Sequence, residues 1–348
     1  MALYDRLADL PIRVDGETRT CQERDTSSGF VRATTTFELH GDGHVGRGED
    51  VTYDVEDHDA LADVGALVPT GEFTFDEFST ALDDVDCFPT KDPEQPSARH
   101  YRRWALESAG LDLALRQADT DLAAALGRDR SPVRFVVSTR LGDPPTTDRV
   151  ETILDRHPDL GLKLDPTSDW DADLVDALVA TDAVRLLDLK GHYAGTTVDQ
   201  PPDPELYELV IEGFPDAVIE DPALTDGTRA VVESARDRLS WDAPITGVAS
   251  VRDLPFEPRW LNIKPSRFGT VESLLDTVEY ARERDVRLYG GGQFELDVGR
   301  DHIQTLAATL YPDGPNDVAP GSYNLPDLPA DPPGSPLVPG DDPSGLEF

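Results

Sequence analysis

From residue 131 onward the chain repeats one unit, a short apolar run followed by a stretch with helical periodicity and a polar face. VRFVVSTRLG (133–142) reads as a strand with DRVETILDRH as its helix, GLKLD (161–165) is followed by DADLVDALVA, VRLLDLK (184–190) by PELYELVIEG, and AVIED (217–221) by GTRAVVESARDRL. PITGVAS (244–250) reads as a fifth strand with a short connection after it. WLNIK (260–264) then precedes TVESLLDTVEYARERD, VRLYGGG (286–292) precedes DHIQTLAATLY, and NDVAP (316–320) is a last, weak strand. Strands separated by helices run parallel, because each helix carries the chain back across the sheet. Eight such units is the number that closes a barrel. The fold class expected is α/β, a (β/α) barrel. An open, doubly wound sheet is the alternative, disfavoured because no GxGxxG follows the first strand.

Residues 1–130 follow a different pattern. FVRATTTFELHGDGHVGRGEDVTYDV alternates like antiparallel strands, with turn chemistry at Gly41-Asp42-Gly43, and residues 97–127 read as one long helical stretch. These features describe an α+β capping domain over 1–130, ahead of a barrel over 131–324. The segment 325–348 is rich in Pro, Gly and Asp and reads as a tail.

Composition narrows the function. The formal net charge is −38 over 348 residues, with the acids spread along the whole chain. Phosphate backbones and anionic membrane surfaces are poor partners for such a surface. A dispersed acidic excess resembles the solvation adaptation of proteins from salt-loving archaea, where screening makes self-repulsion cheap. The first residues, MALYDRLADL, lack the basic-then-apolar pattern of a secretory signal, so a cytoplasmic protein is expected. Cys21 and Cys87 show no metal-ligand spacing and read as small hydrophobes.

Only four of the 31 basic residues are lysines: Lys91, Lys163, Lys190 and Lys264. Lysine loses its proton when desolvated and arginine does not, so lysines kept against this bias point to acid–base or nucleophilic work. Three of them end predicted strands: Lys163 with Asp165 on strand two, Lys190 with Asp188 on strand three, Lys264 on strand six. Strand four ends in Glu220 and Asp221, and strand seven runs into Gln293 and Glu295. The C-terminal strand ends form the active site of such a barrel, and residues two apart on a strand share a face. Hard carboxylate oxygens beside lysines suit Mg²⁺.

IEDP on strand four, NIKPSRFG on strand six, and the order Lys, Asp, Glu, Lys on strands two, three, four and six resemble the enolase superfamily. The resemblance is closest to its mandelate racemase and muconate lactonizing branch, including o-succinylbenzoate synthases, and the chain looks like a divergent haloarchaeal member. FELHGDGHVGRGED resembles that branch's cap hairpin, ALESAGLDLAL its linking helix, and PLVPGDDPSGLEF its closing segment returning to the cap. The resemblance implies an enolase-type barrel and removal of the α-proton of a Mg²⁺-bound carboxylate substrate through an enediolate, as a lyase, cycloisomerase or racemase. Carried over by position, Asp188 and Glu220 are metal ligands, Lys264 is the strand-six acid–base or cation, and Lys163 is the first lysine of a strand-two pair.

The sequence departs from that pattern in three places. Asp165 stands where the second lysine is expected, Lys190 where strand three has asparagine, and GVAS (247–250) where strand five ends in a carboxylate. Asp165 is then a candidate third ligand and Lys190 a candidate replacement base. Gln293 and Glu295 are candidate substrate-binding residues. Arg47 and Glu49 of the cap hairpin are placed to close over the barrel mouth, and His192 lies just past Lys190. A homo-oligomer is compatible with these features. The competing readings are a Schiff-base aldolase using Lys264 or Lys190, and a non-catalytic barrel that binds a ligand.

Overall fold

The computed structural model describes residues 2–193, 195 and 198–348. In the capping part, strands β2 (Gly16–Asp25), β3 (Val31–Gly41) and β4 (His44–Asp50) form an antiparallel sheet, and β1 (Pro11–Val14) pairs with β5 (Gly71–Thr74). The helix Ala98–Gln117 lies against β4. Gly46 and Gly48 allow this approach, since a Cβ on either would collide with the helix backbone at Leu113 or Ala105. The stretch 97–127 is not one helix. It turns at Asp119, in the left-handed region at φ 52°, and resumes at Leu122–Ala125, capped by the Asp121 carboxylate.

Seven parallel strands follow in sequence order: β6 (Val136–Thr139), β7 (Gly161–Leu164), β8 (Val184–Asp188), β9 (Val218–Glu220), β10 (Leu239–Trp241), β11 (Trp260–Ile263) and β12 (Arg287–Gly290). The NDVAP segment closes the ring with single bridges. Asn316 pairs with Phe135 ahead of β6, and Asp317 pairs with Gly291 beyond β12. The strands are short and apolar, and their buried residues Leu162, Leu164, Leu187, Ile219, Leu261 and Ile263 belong to one core. Several crossover helices carry caps that fix where they start, including Asp171, Asp203 ahead of Pro204, and Thr270.

The fifth strand is not where the sequence places it. The helix read through GTRAVVESARDRL stops at Ser234, a 3₁₀ turn spans Arg236–Arg238, and β10 (Leu239–Trp241) follows. Its register pairs Ser240 with Glu220 on one side and with Trp260 on the other. The end of the predicted strand, 248–250, lies instead in a short helix, Val248–Arg252.

The tail runs back over the first barrel strand to the cap. Leu337 bridges Val133, Gly345 bridges Asp121, the Leu346 amide donates to Asp112 at 2.8 Å, and Arg116 pairs with Glu347 at 2.9 Å. Cys21 is exposed and Cys87 buried, both as free thiols. Among the described residues, no helix is long and apolar enough to cross a membrane.

Candidate functional site

Three carboxylates meet at the C-terminal ends of consecutive strands. Asp188 ends β8, Glu220 ends β9, and Asp242 follows β10 directly. Register explains the meeting: Asp188 pairs with Glu220, Glu220 pairs with Ser240, and Asp242 lies two residues beyond Ser240 on the same face. All three are fully buried, and each offers an oxygen within 4.8 Å of the others.

The expectation that strand five lacks a carboxylate is thereby corrected. Asp242 is hidden because the true strand is three residues long and begins at Leu239, where the predicted helix ends. The available signal was LSW followed by Asp, the same apolar run ending in an acid seen in RLLD and AVIED. Asp165, the expected substitute ligand, lies outside this trio. Its carboxylate is 3.3 Å from Lys190 and 3.4 Å from Arg140.

The three strand-end lysines all reach the trio. Lys163 Nζ lies 2.5 Å from Glu220, 3.5 Å from Asp188 and 3.4 Å from Asp317. Lys190, just past β8 and in the left-handed region at φ 54°, makes a close ion pair with Asp188. Lys264 lies 2.8 Å from Asp242. Burial alone would favour neutral lysines, but the neighbouring carboxylates outweigh it and hold all three ammoniums in the charged form. Burial likewise opposes ionisation of Asp188 and Asp242. Lys190 and Lys163 hold Asp188 well below the usual carboxylate range, and Arg267 and Lys264 do the same for Asp242.

Residues that the sequence did not single out complete the surroundings. Asn262 Nδ2 donates to Glu220 at 3.1 Å, and the Tyr289 hydroxyl makes a close hydrogen bond to the same carboxylate. The Tyr193 hydroxyl donates to Asp242 at 3.1 Å and accepts from Arg267 at 2.8 Å. Asp221 accepts the amides of Asp242 and Ala243 at 2.9 and 2.8 Å, which fixes the end of β10. Burial and the charge of Asp242 push Asp221 up to about 7.

Gln293 and Glu295 lie at the seam between the cap and the loop after β12. The Gln293 side chain accepts from the Tyr53 hydroxyl at 2.9 Å, its backbone N–H donates to Glu295 at 2.7 Å, and Glu295 is 3.3 Å from Arg300. Both are therefore engaged within the protein. Glu49 reaches the same loop and accepts the amides of Leu296, Asp297 and Gly299, whereas Arg47 turns away to pair with Glu38. The exposed ring of His192 sits edge-on to Trp241, 5.5 Å between centroids.

The trio fits a hard divalent cation. It supplies carboxylate oxygens alone. Among the described residues, Asn262 Oδ1 beside the trio is buried without a hydrogen bond, and Asp242 Oδ1 also makes none, facing only the Arg267 guanidinium at 3.4 Å. A few protein carboxylates with remaining positions left for water or substrate is the usual arrangement for Mg²⁺.

Comparison with known proteins agrees with this architecture. A crystal structure titled a dipeptide epimerase from Methylococcus capsulatus, complexed with Mg and the dipeptide L-Arg-D-Lys, has a TM-score of 0.69 at 17% identity, covering 97% of this chain and 99% of that one. A structure titled an unknown member of the enolase superfamily from Enterococcus faecalis V583 has a TM-score of 0.64 at 17% identity, covering 90% and 88%. An o-succinylbenzoate synthase from Geobacillus kaustophilus is 27% identical over 242 residues, 64% of this chain, and the match spans 62% of that protein's length. Models of the C-terminal and N-terminal domains of a family described as a domain of unknown function, DUF8230, match residues 129–325 and 5–125. The chain belongs to the DUF8230 family, and its fold is that of the enolase superfamily.

Proposed function

We propose that this protein is a Mg²⁺-dependent enzyme that removes the α-proton of a carboxylate substrate. The observation that carries the reading is the buried trio Asp188, Glu220 and Asp242, with lysines on both sides of it in the strand order. These three carboxylates would hold the ion. Mg²⁺ bound there supplies positive charge to the substrate carboxylate and so acidifies the adjacent C–H.

The lysines divide by depth. Lys163 is 2% exposed and enclosed by three carboxylates, which suits a fixed cation. Lys190 and Lys264 are more accessible, with side chains 13% and 9% exposed, and stand on strands three places apart in the ring. They are the proposed proton-transfer groups: a divalent ion on Asp188 and Asp242 would take up the negative charge that keeps both lysines protonated, and so let one act as base. Lys190 has a specific argument in its favour. The residue expected to be lysine on strand two is Asp165, and the Lys190 ammonium lies 3.3 Å from it. A lysine charge thus occupies that corner, delivered from the neighbouring strand.

Gln293 and Glu295 are proposed to shape the substrate pocket through the cap seam. The substrate class proposed is a small carboxylate with an acidic α-hydrogen, such as a dipeptide. The test is ¹H NMR of a panel of these compounds in D₂O with the protein and Mg²⁺. Loss of an α-proton signal that stops on adding EDTA is expected. Exchange that persists in EDTA contradicts the proposal.

One observation favours a second reading, a barrel that binds a ligand without catalysis: each carboxylate of the trio already carries a lysine. In that case the lysines take the ion's place, and Mg²⁺ leaves the thermal midpoint unchanged. Under the first reading Mg²⁺ raises it by mass action.

A further inference from the structure

Glu220 is the most restrained member of the trio. One oxygen faces the Lys163 ammonium at 2.5 Å, and the other takes both the Asn262 amide at 3.1 Å and the Tyr289 hydroxyl. Tyr289 is on β12, three strands away from Glu220 in the ring, and its side chain crosses the barrel interior to make this contact. It is fully buried, with Leu186 and Val218 in its cluster and Trp260 edge-on at 6.2 Å. Its hydroxyl is also 2.8 Å from the buried Ser240 hydroxyl. The Tyr289 hydroxyl donates its one proton to Glu220, so the Ser240 hydroxyl donates to Tyr289. The result is a directed chain from β10 through β12 to the ligand on β9. By contrast, Asp242 Oδ1 makes no hydrogen bond among the described residues and faces only the Arg267 guanidinium, at 3.4 Å.

We infer that Tyr289, backed by Ser240, is a positioning residue that fixes the Glu220 carboxylate for the divalent ion. The inference rests on the metal-binding reading above. Partners that hold a metal ligand from behind are worth roughly 10- to 100-fold in metal affinity. A buried phenol spanning the barrel would serve packing equally well without its oxygen, so the hydroxyl is the part with a consequence for the ion.

The test compares full-length wild type with Tyr289→Phe, which keeps the ring and removes the hydroxyl. Mg²⁺ binding is measured by titration calorimetry, and the electron paramagnetic resonance of bound Mn²⁺ reports ligand geometry. The expected result is a Kd about tenfold or more weaker and an altered Mn²⁺ spectrum, with unchanged circular dichroism. Should Tyr289→Phe fail to fold, Ser240→Ala carries the test, with weaker Mg²⁺ binding expected in the same direction. An unchanged Kd and Mn²⁺ spectrum in a folded variant overturns the inference and leaves the metal-binding reading standing. A wild type that takes up no Mg²⁺ overturns both.

Discussion

Asp242→Asn separates the two candidate third ligands. The substitution keeps the size of the side chain and removes one charge from a trio whose oxygens lie within 4.8 Å of one another. A cation among them sits within about 4 Å of each. At that distance, and with the effective screening that reproduces buried-site behaviour, a unit charge is worth about 4 kcal/mol. At 1.4 kcal/mol per decade that is a loss of about a thousandfold in Mg²⁺ affinity. The same change strips the buried Lys264 and Arg267 of their carboxylate, at 2.8 and 3.4 Å, and breaking such a buried pair costs about 3–5 kcal/mol of stability. Calorimetric titration is therefore run well below the lowered thermal midpoint. Asp165→Asn is the control, because Asp165 sits outside the trio and pairs with Lys190 and Arg140. Its Kd for Mg²⁺ is expected to stay within about threefold of wild type, since its carboxylate lies outside the trio. Affinity lost in Asp165→Asn and kept in Asp242→Asn would refute the assignment.

Five other substitutions test separate parts of the account. Lys190→Met and Lys264→Met should each slow α-proton exchange by about 10²- to 10⁴-fold with the fold retained, whereas Lys163→Met, which strands Glu220 and Asp188, should cost about 3–5 kcal/mol in urea denaturation; full exchange in both rim variants contradicts this. Burial holds the His302 imidazole at about 4 against its ordinary 6.5. The unfolded chain thus takes this proton first as the pH falls, and about 3 kcal/mol of stability relative to His302→Gln should be lost between pH 6.5 and 4; a pH-independent difference between the two proteins contradicts it. Gly291→Ala would set a Cβ 2.8 Å from Lys264 Cε and against Asn262, so exchange activity should fall with a thermal midpoint close to wild type, and an unaffected rate refutes the packing.

Much of the site was legible because it follows a simple physical pattern. Apolar strands that end in charge announce a barrel rim, and Lys163, Asp188, Glu220 and Lys264 were each found that way. Asp242 was not, because β10 has only three residues and follows a helix and a 3₁₀ turn whose residues continue the helical periodicity. The error then spread: without a fifth-strand carboxylate, Asp165 stood in as a ligand, although its carboxylate lies outside the cluster of Asp188, Glu220 and Asp242. Gln293 and Glu295 were placed near the site by their strand, but their partners Tyr53 and Arg300 are long-range or loop contacts that no local pattern reveals. The closing bridges of Asn316 and Asp317 were anticipated only as a weak strand, and single bridges leave only that much signal.

A crystal of the protein grown with Mn²⁺ in place of Mg²⁺, with the ion located by its anomalous scattering, tests the central claim most directly. The account requires one peak among the carboxylates of Asp188, Glu220 and Asp242, with Lys163 and Lys264 beside it. A peak between Asp165 and Asp188 with Asp242 left out, or no peak while the three lysines stay on the three carboxylates, contradicts it.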